Sequence, residues 1–280
     1  SCTVENAVNG IYCAGSSPTI TNSIIQNNSD KGILLASSNP TITNNTIQNN
    51  ADGIHADSGS QPTITGNTFT GNERPVSIYA NRINNTIYGN SYTDNTKDYI
   101  EVEGAILYAN QTYLWSKDNV PYVVVSDITV QYSNNSSYLS VLQIASGTTV
   151  KFKTGVDLFI GSTSNSSYKG ALQATGVTFT SFDSTGWQGI DFNNYSDDGS
   201  SVLDSCVIEN AVDGIYCAGS SPTITNNTIQ NNTADGIYCD GTSQPTITGN
   251  TFTGNTRPVS IYAHRIRNNI SGNSYTGNTK

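Results

Sequence analysis

Apolar and polar residues alternate in short bursts along this chain, and the bursts return on a beat. In PTITNNTIQNN, from Pro40 to Asn50, Ile42 stands between two threonines and Ile47 between Thr46 and Gln48. The same phrase returns unchanged from Pro222 to Asn232. Alternation with period two and an abundance of β-branched residues predict strands, while Asn, Gly and Pro every few residues break any helix. Pro18, Pro40 and Pro62 recur with a period of about 22 residues, in step with Ile20, Ile42 and Ile64 and with Ile25, Ile47 and Phe69. A second landmark, Gly-Ile, recurs at Gly10, Gly32, Gly53, Gly214 and Gly236. A period in the twenties signals a solenoid whose units bury their apolar faces only by stacking.

A coil of this length holds three short strands joined by tight turns, with rungs about 4.8 Å apart. Ile20, Ile42 and Ile64 are expected in one buried file and Ile11, Ile33 and Ile54 in another. The flanking threonines, Thr19 and Thr21, Thr41 and Thr43, Thr63 and Thr65, are expected to face outward in two files. Asn22 and Asn44 hold equivalent places, where stacked amides can form a hydrogen-bonded ladder.

These words resemble right-handed parallel β-helix repeat proteins, the broad group that includes pectate-lyase-like enzymes and exported prokaryotic surface proteins. The matching stretches are SSPTITNNTIQNN, ADGIYCDGTSQPTITGNTFTGN, and GWQGIDF followed by SCVIENAVDGIYC. The resemblance implies an all-β, right-handed parallel β-helix; it says little about activity, because the scaffold carries many functions. Clear coils cover residues 1–97 and 205–280, the second block being one coil shorter. Residues 98–204 are less regular and richer in aromatics, yet YVVVSDITVQ, TTVKFKTGVDLFIG and GVTFTSF read as strands. Continued solenoid is the expectation there, with an inserted β-sandwich as the alternative.

Composition narrows the function. Of 280 residues only 12% are charged, with 12 Lys and Arg against 21 Asp and Glu, for a net charge of −9. So thin a supply of cations argues against nucleic acid as a partner, and no apolar run reaches membrane-spanning length. N-x-S/T triplets open at Asn27, Asn44, Asn84, Asn110, Asn165, Asn194, Asn226, Asn231 and Asn269, candidate N-glycosylation sites. With five cysteines and an acidic balance they suggest an exported protein, at the cell surface or beyond it. With no methionine and an opening in mid-phrase, the chain reads as a processed product or a piece of something longer. Cys217 and Cys239 share the slot after Gly-Ile-Tyr in consecutive coils, a candidate disulfide; Cys2 and Cys206 compete as partners for Cys13 and Cys217.

Candidate chemistry is sparse. His55 corresponds to Tyr238 in the second block and His264 to Asn81, so neither histidine recurs, and both read as solvated turn residues. Arg74 and Arg257, with Arg82 and Arg265, do recur; they read as cover for an exposed turn meeting nearby carboxylates, with an anionic sugar as the other candidate partner. Asp52 and Asp235 before Gly, and Asp197-Asp198-Gly199, can donate oxygens to calcium, but no full calcium loop is present. No cofactor is expected beyond that weak calcium candidate. The functional expectation is a non-enzymatic structural solenoid: a cell-surface filament, sheath or adhesive stalk whose partner is itself, head to tail, with glycans or other surface proteins besides. A carbohydrate-binding or carbohydrate-processing β-helix is the alternative, and an ice-binding solenoid using the Thr-x-Thr files a more remote one.

Overall fold

A computed structural model describes residues 1–132, 138–267 and 269–280. Its strands pair in parallel, as Ile11–Ala14 on Lys31–Ala36 and Ile215–Cys217 on Asp235–Cys239 do, and no α-helix occurs among the described residues. The chain divides into two compact units, one of residues 1–103 with 115–123 and the other of residues 104–114 with 124–280.

In the first unit each coil lays one short strand on each of three sheets. Thr19–Thr21, Thr41–Thr43 and Thr63–Thr65 pair in register, with Ile20 on Ile42 on Ile64. Ile24–Gln26, Thr46–Gln48 and Thr68–Thr70 do the same on a second sheet. Ile11–Ala14, Lys31–Ala36, Asp52–Ala56 and Arg74–Tyr79 form the third. Ile33, Ile42, Ile54 and Ile64 are fully buried and Ile20 nearly so, whereas Ile11 is half-buried. The threonines flanking each central Ile face outward, and Thr43 Oγ1 lies 3.4 Å from Thr21 Oγ1 one coil away. The second unit repeats the scheme. Its sheets contain Thr223–Thr225 on Thr246–Thr248, Thr228–Gln230 on Thr251–Thr253, and Ile215–Cys217 on Asp235–Cys239. The described residues between 124 and 204 also form parallel coils, but longer ones: the step from Asp127 to Asp157 is 30 residues, against 22 from Asp213 to Asp235.

The turns explain the asparagines, and they correct the expected ladder by one residue. Asn22 and Asn44 do not form it. They adopt positive φ, 51° and 55°, and are exposed, because Asn is one of the few residues that tolerate a left-handed turn. The next residue turns inward and builds the ladder. Ser23 N–H donates to Asn45 Oδ1 (3.0 Å), Asn45 N–H to Asn67 Oδ1 (2.9 Å) and Asn67 N–H to Asn90 Oδ1 (3.0 Å). Each amide nitrogen also donates to the next Oδ1 and to a strand carbonyl of the previous coil, Asn45 to Ile20 O and Asn67 to Ile42 O. A second ladder runs through Asn28, Asn50, Asn72 and Asn95. Both close on carboxylates: Asn90 donates to Asp118, and Asn95 to Asp98. The second unit has the same pair, Asn227 to Asn250 to Asn273 and Asn232 to Asn255 to Asn278.

Two expectations follow for stability. Asn50→Ala leaves the buried Asn28 N–H and Ile25 carbonyl without their side-chain partners and should cost about 2–5 kcal/mol, whereas Asn49→Gly, at an exposed left-handed turn (φ 55°), should change stability by less than about 1 kcal/mol. Ile42→Ala, in the middle of a buried file, should cost about 2–5 kcal/mol. Urea unfolding of the variants checks both, and equal losses for Asn49 and Asn50 would contradict the assignment of the ladder.

Candidate functional site

With the interior filled by apolar files and amide ladders, chemistry is left to the outward positions. In the second unit one sheet stacks Ile128–Val130, Asp157–Ile160, Gly189–Phe192, Ile215–Cys217 and Asp235–Cys239. Strand alternation buries Leu158, Ile190, Ile215 and Ile237 and turns their neighbours outward. The outward row, one residue per rung, is Thr129, Phe159, Asp191, Tyr216 and Tyr238, each half-buried and each in register with the next. The Tyr216 and Tyr238 ring centroids are 5.3 Å apart.

Carboxylates gather at one edge of this row. Asp157 N–H donates to Asp127 Oδ1 (2.9 Å), and Asp235 N–H to Asp213 Oδ1 (2.8 Å). Gly189 lies in register with Asp157 at φ 140°, where a Cβ would sit 1.9 Å from Asp213 O; only glycine fits against that backbone. Asp235 pairs with Arg257. No ion pair among the described residues reaches Asp127, Asp157, Asp191 or Asp213. Burial, aided by the charges of Asp191 and Asp127, pushes the Asp157 carboxyl up to about 7. Burial and the Asp213 charge push Asp191 to about 6, and burial raises Asp213 as well.

The other edge of the row opens into two clefts that share Thr163. One, of about 300 Å³, is lined by Thr129, Gln131, Phe159 and Asn193; the other, of about 330 Å³, by Asn194, Gly219, Asp240 and Thr242. A larger hollow of about 460 Å³ over a different sheet is lined by Leu114, Gln143, Gln173 and Val202, with no ionisable group.

The first unit contrasts with this arrangement. Asp52 is buried between Arg74, whose Nε lies 2.6 Å from Oδ1, and Lys31, whose Nζ lies 2.8 Å from Oδ2. Burial alone would raise its pKa, but these two cations hold it below the usual carboxylate range. Arg74 also reaches Glu101. Asp52 and Asp235 thus have cationic side chains on their oxygens, and Arg74 and Arg257 have carboxylates as partners. Arg82 and Arg265 donate instead to the carbonyls of Ser58 and Gly241.

The remaining sequence candidates stand apart. His55 is not in a turn: it lies in the strand Asp52–Ala56, half-buried on the outer face, because its slot alternates with the inward Ile54. Burial lowers its pKa, and its Nδ1 has no hydrogen-bond partner. His264 is an exposed turn residue, as expected. Cys217 and Cys239 are in register, fully buried and unbonded, and the thiol of Cys239 together with burial raises that of Cys217 well above its ordinary value. Cys2, Cys13 and Cys206 are free too; Cys2 N–H donates to Ser23 Oγ, and Cys206 Sγ lies 3.4 Å from Ala174 O. Of the candidate glycosylation sites, Asn27, Asn44, Asn110, Asn165, Asn194, Asn226 and Asn231 are exposed, and Asn84 and Asn269 half-buried. A 22-residue period does not reveal the aspartate row, because Asp127 and Asp157 stand 30 residues apart. The clue was there once register is known: VDLFI, GIDF, GIYC and GIYC align with Phe159, Asp191, Tyr216 and Tyr238 in one column.

Residues 158–280 match the family model described as right handed beta helix region, and residues 1–123 the model described as periplasmic copper-binding protein (NosD). Neither a curated protein nor a solved structure matches the chain. The chain is a right-handed parallel β-helix repeat protein.

Copper, named in one of those descriptions, is not matched by the donors present. In residues 1–123 they are His55, Cys2 and Cys13, and the whole chain has no methionine. Cys13 points inward, aligned with Leu35 and Ala56, whereas His55 points outward from the same sheet. Among the described residues no three His, Cys, Asp or Glu side chains converge on a metal-sized site. Soft cuprous sites need clustered sulfur or imidazole, which these positions do not supply.

The carboxylate row makes a pH prediction. A carboxyl whose folded pKa lies above its unfolded value binds more protons when folded, so its contribution to stability is fully present below about pH 4 and is lost as pH rises through the folded value. Asp157, facing Asp127 and Asp191 with no cation, should therefore cost stability between about pH 4 and pH 7. Asp157→Asn should melt higher than the parent at pH 7 and lose the difference at pH 4. Thermal melts at the two pH values check this; an Asn variant less stable at both would refute it.

Proposed function

We propose that the chain is a non-enzymatic structural β-solenoid acting outside the cytoplasm, a segment of a surface filament, sheath or adhesive stalk whose copies associate head to tail. The observation that carries this reading is the ladder. One phrase, PTITNNTIQNN, builds the same coil in both units, with the same buried amides and the same Ile file. Each coil presents to the next a repeating set of donors, acceptors and apolar surface. A coil of one molecule can dock on a coil of another by the same rules, and such a heterologous contact propagates as a filament unless rotation closes it. The periplasmic description attached to the family matched by residues 1–123 supports a place outside the cytoplasm. No helix is long and apolar enough to cross a membrane.

Negative-stain electron microscopy and light scattering of the purified chain test the proposal. Filaments, or mass growing with concentration, are expected, and a charge at a half-buried position of a file, Ile11→Lys or Ile261→Lys, should shorten or abolish them while the remaining coils stay folded. A monodisperse monomer at high concentration would overturn the assembly part. Turnover of any polysaccharide would overturn the non-enzymatic part.

A further inference from the structure

Two thiols of the second unit meet in a column that otherwise carries hydrocarbon. Register runs that inward column through Val130, Ile160, Phe192, Cys217 and Cys239, all fully buried. Cys217 and Cys239 are directly opposed on neighbouring strands, one rung or about 4.8 Å apart, and a disulfide spans Cα separations of about 4.4–6.8 Å. Their thiols already hydrogen-bond to each other. The other cysteines have different neighbours. Cys13, in the matching phrase GIYC, faces Leu35; Cys206 Sγ lies 3.4 Å from Ala174 O, and Cys2 Sγ 3.4 Å from Ser23 Oγ. We infer that Cys217 and Cys239 are oxidised to a disulfide while the second unit folds, and that the closed coils then seal the bond from reductants.

The oxidant is a disulfide, carried by a small thiol compound or by a thiol–disulfide oxidoreductase. In the open chain the thiolate of one cysteine attacks it, forms a mixed disulfide and expels one thiolate. The thiolate of the other cysteine then attacks the mixed disulfide at the first cysteine's sulfur, closes the bond between residues 217 and 239, and expels the second thiolate. Two protons leave the cysteines, and two electrons reduce the oxidant to two thiols. The closed coil supports neither attack. Both cysteines are fully buried, and the hydrogen bond between them, together with burial, raises the Cys217 thiol well above its ordinary value and keeps it protonated. Both strands are also flanked, Ile215–Cys217 by Gly189–Phe192 and Asp235–Cys239 by Arg257–Ser260. Oxidation therefore precedes closure, and the same burial afterwards excludes an attacking reductant. The bond staples one coil to the next and restricts the unfolded chain across a full turn of the solenoid. It needs no association between copies, so it stands or falls apart from the filament reading.

The test is to unfold the whole chain in guanidinium with reductant and refold it in a buffer of reduced and oxidised glutathione. Proteolysis without reductant and mass spectrometry should find Cys217 joined to Cys239, with Cys2, Cys13 and Cys206 free or carrying glutathione. The oxidised chain should melt about 5–10 °C above the reduced one. Cys217→Val/Cys239→Val, close in volume, should fold and melt with the reduced parent, and refolding with glutathione should not raise its melt. Dithiothreitol should leave the bond intact in native buffer and break it in guanidinium. Oxidised glutathione added to the folded, reduced chain should form the bond at least about tenfold more slowly than during refolding. The peptide map of the parent decides the pairing without any variant. Free thiols at Cys217 and Cys239 after refolding, or either one joined to a different cysteine, would overturn the pairing. Equally fast oxidation of the folded chain, or reduction in native buffer, would overturn the sealing.

Discussion

A parallel coil must turn a tight corner between strands, and each corner carries backbone groups into the interior where water cannot serve them. The asparagine ladders meet that constraint. One side chain accepts the N–H of the coil below and donates to a carbonyl there, and its own N–H is served by the coil above. A buried unsatisfied donor or acceptor costs about 1–3 kcal/mol, and at these turns the inward side chain removes that cost. The apolar files then need only be small, branched and one per rung. The regular coils can be written in Asn, Thr, Ile and Gly because the ladders satisfy the polar groups of their turns.

That division of labour frees the outside. Outward positions answer to no core, and in the first unit they are filled blandly, with Thr19, Thr41 and Thr63 on one face. Asp52 and Asp235, which open strands of the two units, are neutralised. Asp52 meets Arg74 and Lys31; Asp235 meets Arg257. The partner comes from an adjacent coil at the same slot, so a charge placed in one repeat is answered in the next.

Much of this was legible in the residues. Ile20, Ile42 and Ile64 gave away their file because a 22-residue step and a period-two pattern leave a single inward choice. The same arithmetic put Cys217 on Cys239. The ladder was read one position early, since Asn44 and Asn45 stand side by side and only backbone sign decides which turns in: Asn44 takes the left-handed φ and Asn45 the interior. His55 reads as a solvated turn residue because Tyr238 replaces it in the second block, but strand pairing runs through it. The aspartate row was invisible. Coils that step by 30 residues in one place and 22 in another have no period to align, so Asp157 and Asp191 looked like scattered acids.

The rule of neutralisation lapses at one strand edge of the second unit. Asp213 and Asp235 adjoin in one slot, and Arg257 answers only the second. Asp157 has burial and the charges of Asp191 and Asp127 against it, Asp191 has burial and the charge of Asp213, and among the described residues no Lys or Arg is ion-paired to either. Exposed acids would be harmless; half-buried ones at one strand edge oppose folding at neutral pH. A chain that elsewhere places an arginine on the next rung has the means to relieve them, and the adjoining column holds aromatic rings instead. Repulsion at the outer edge is tolerated because the buried file of Leu158, Ile190, Ile215 and Ile237 beneath it holds the strands in register.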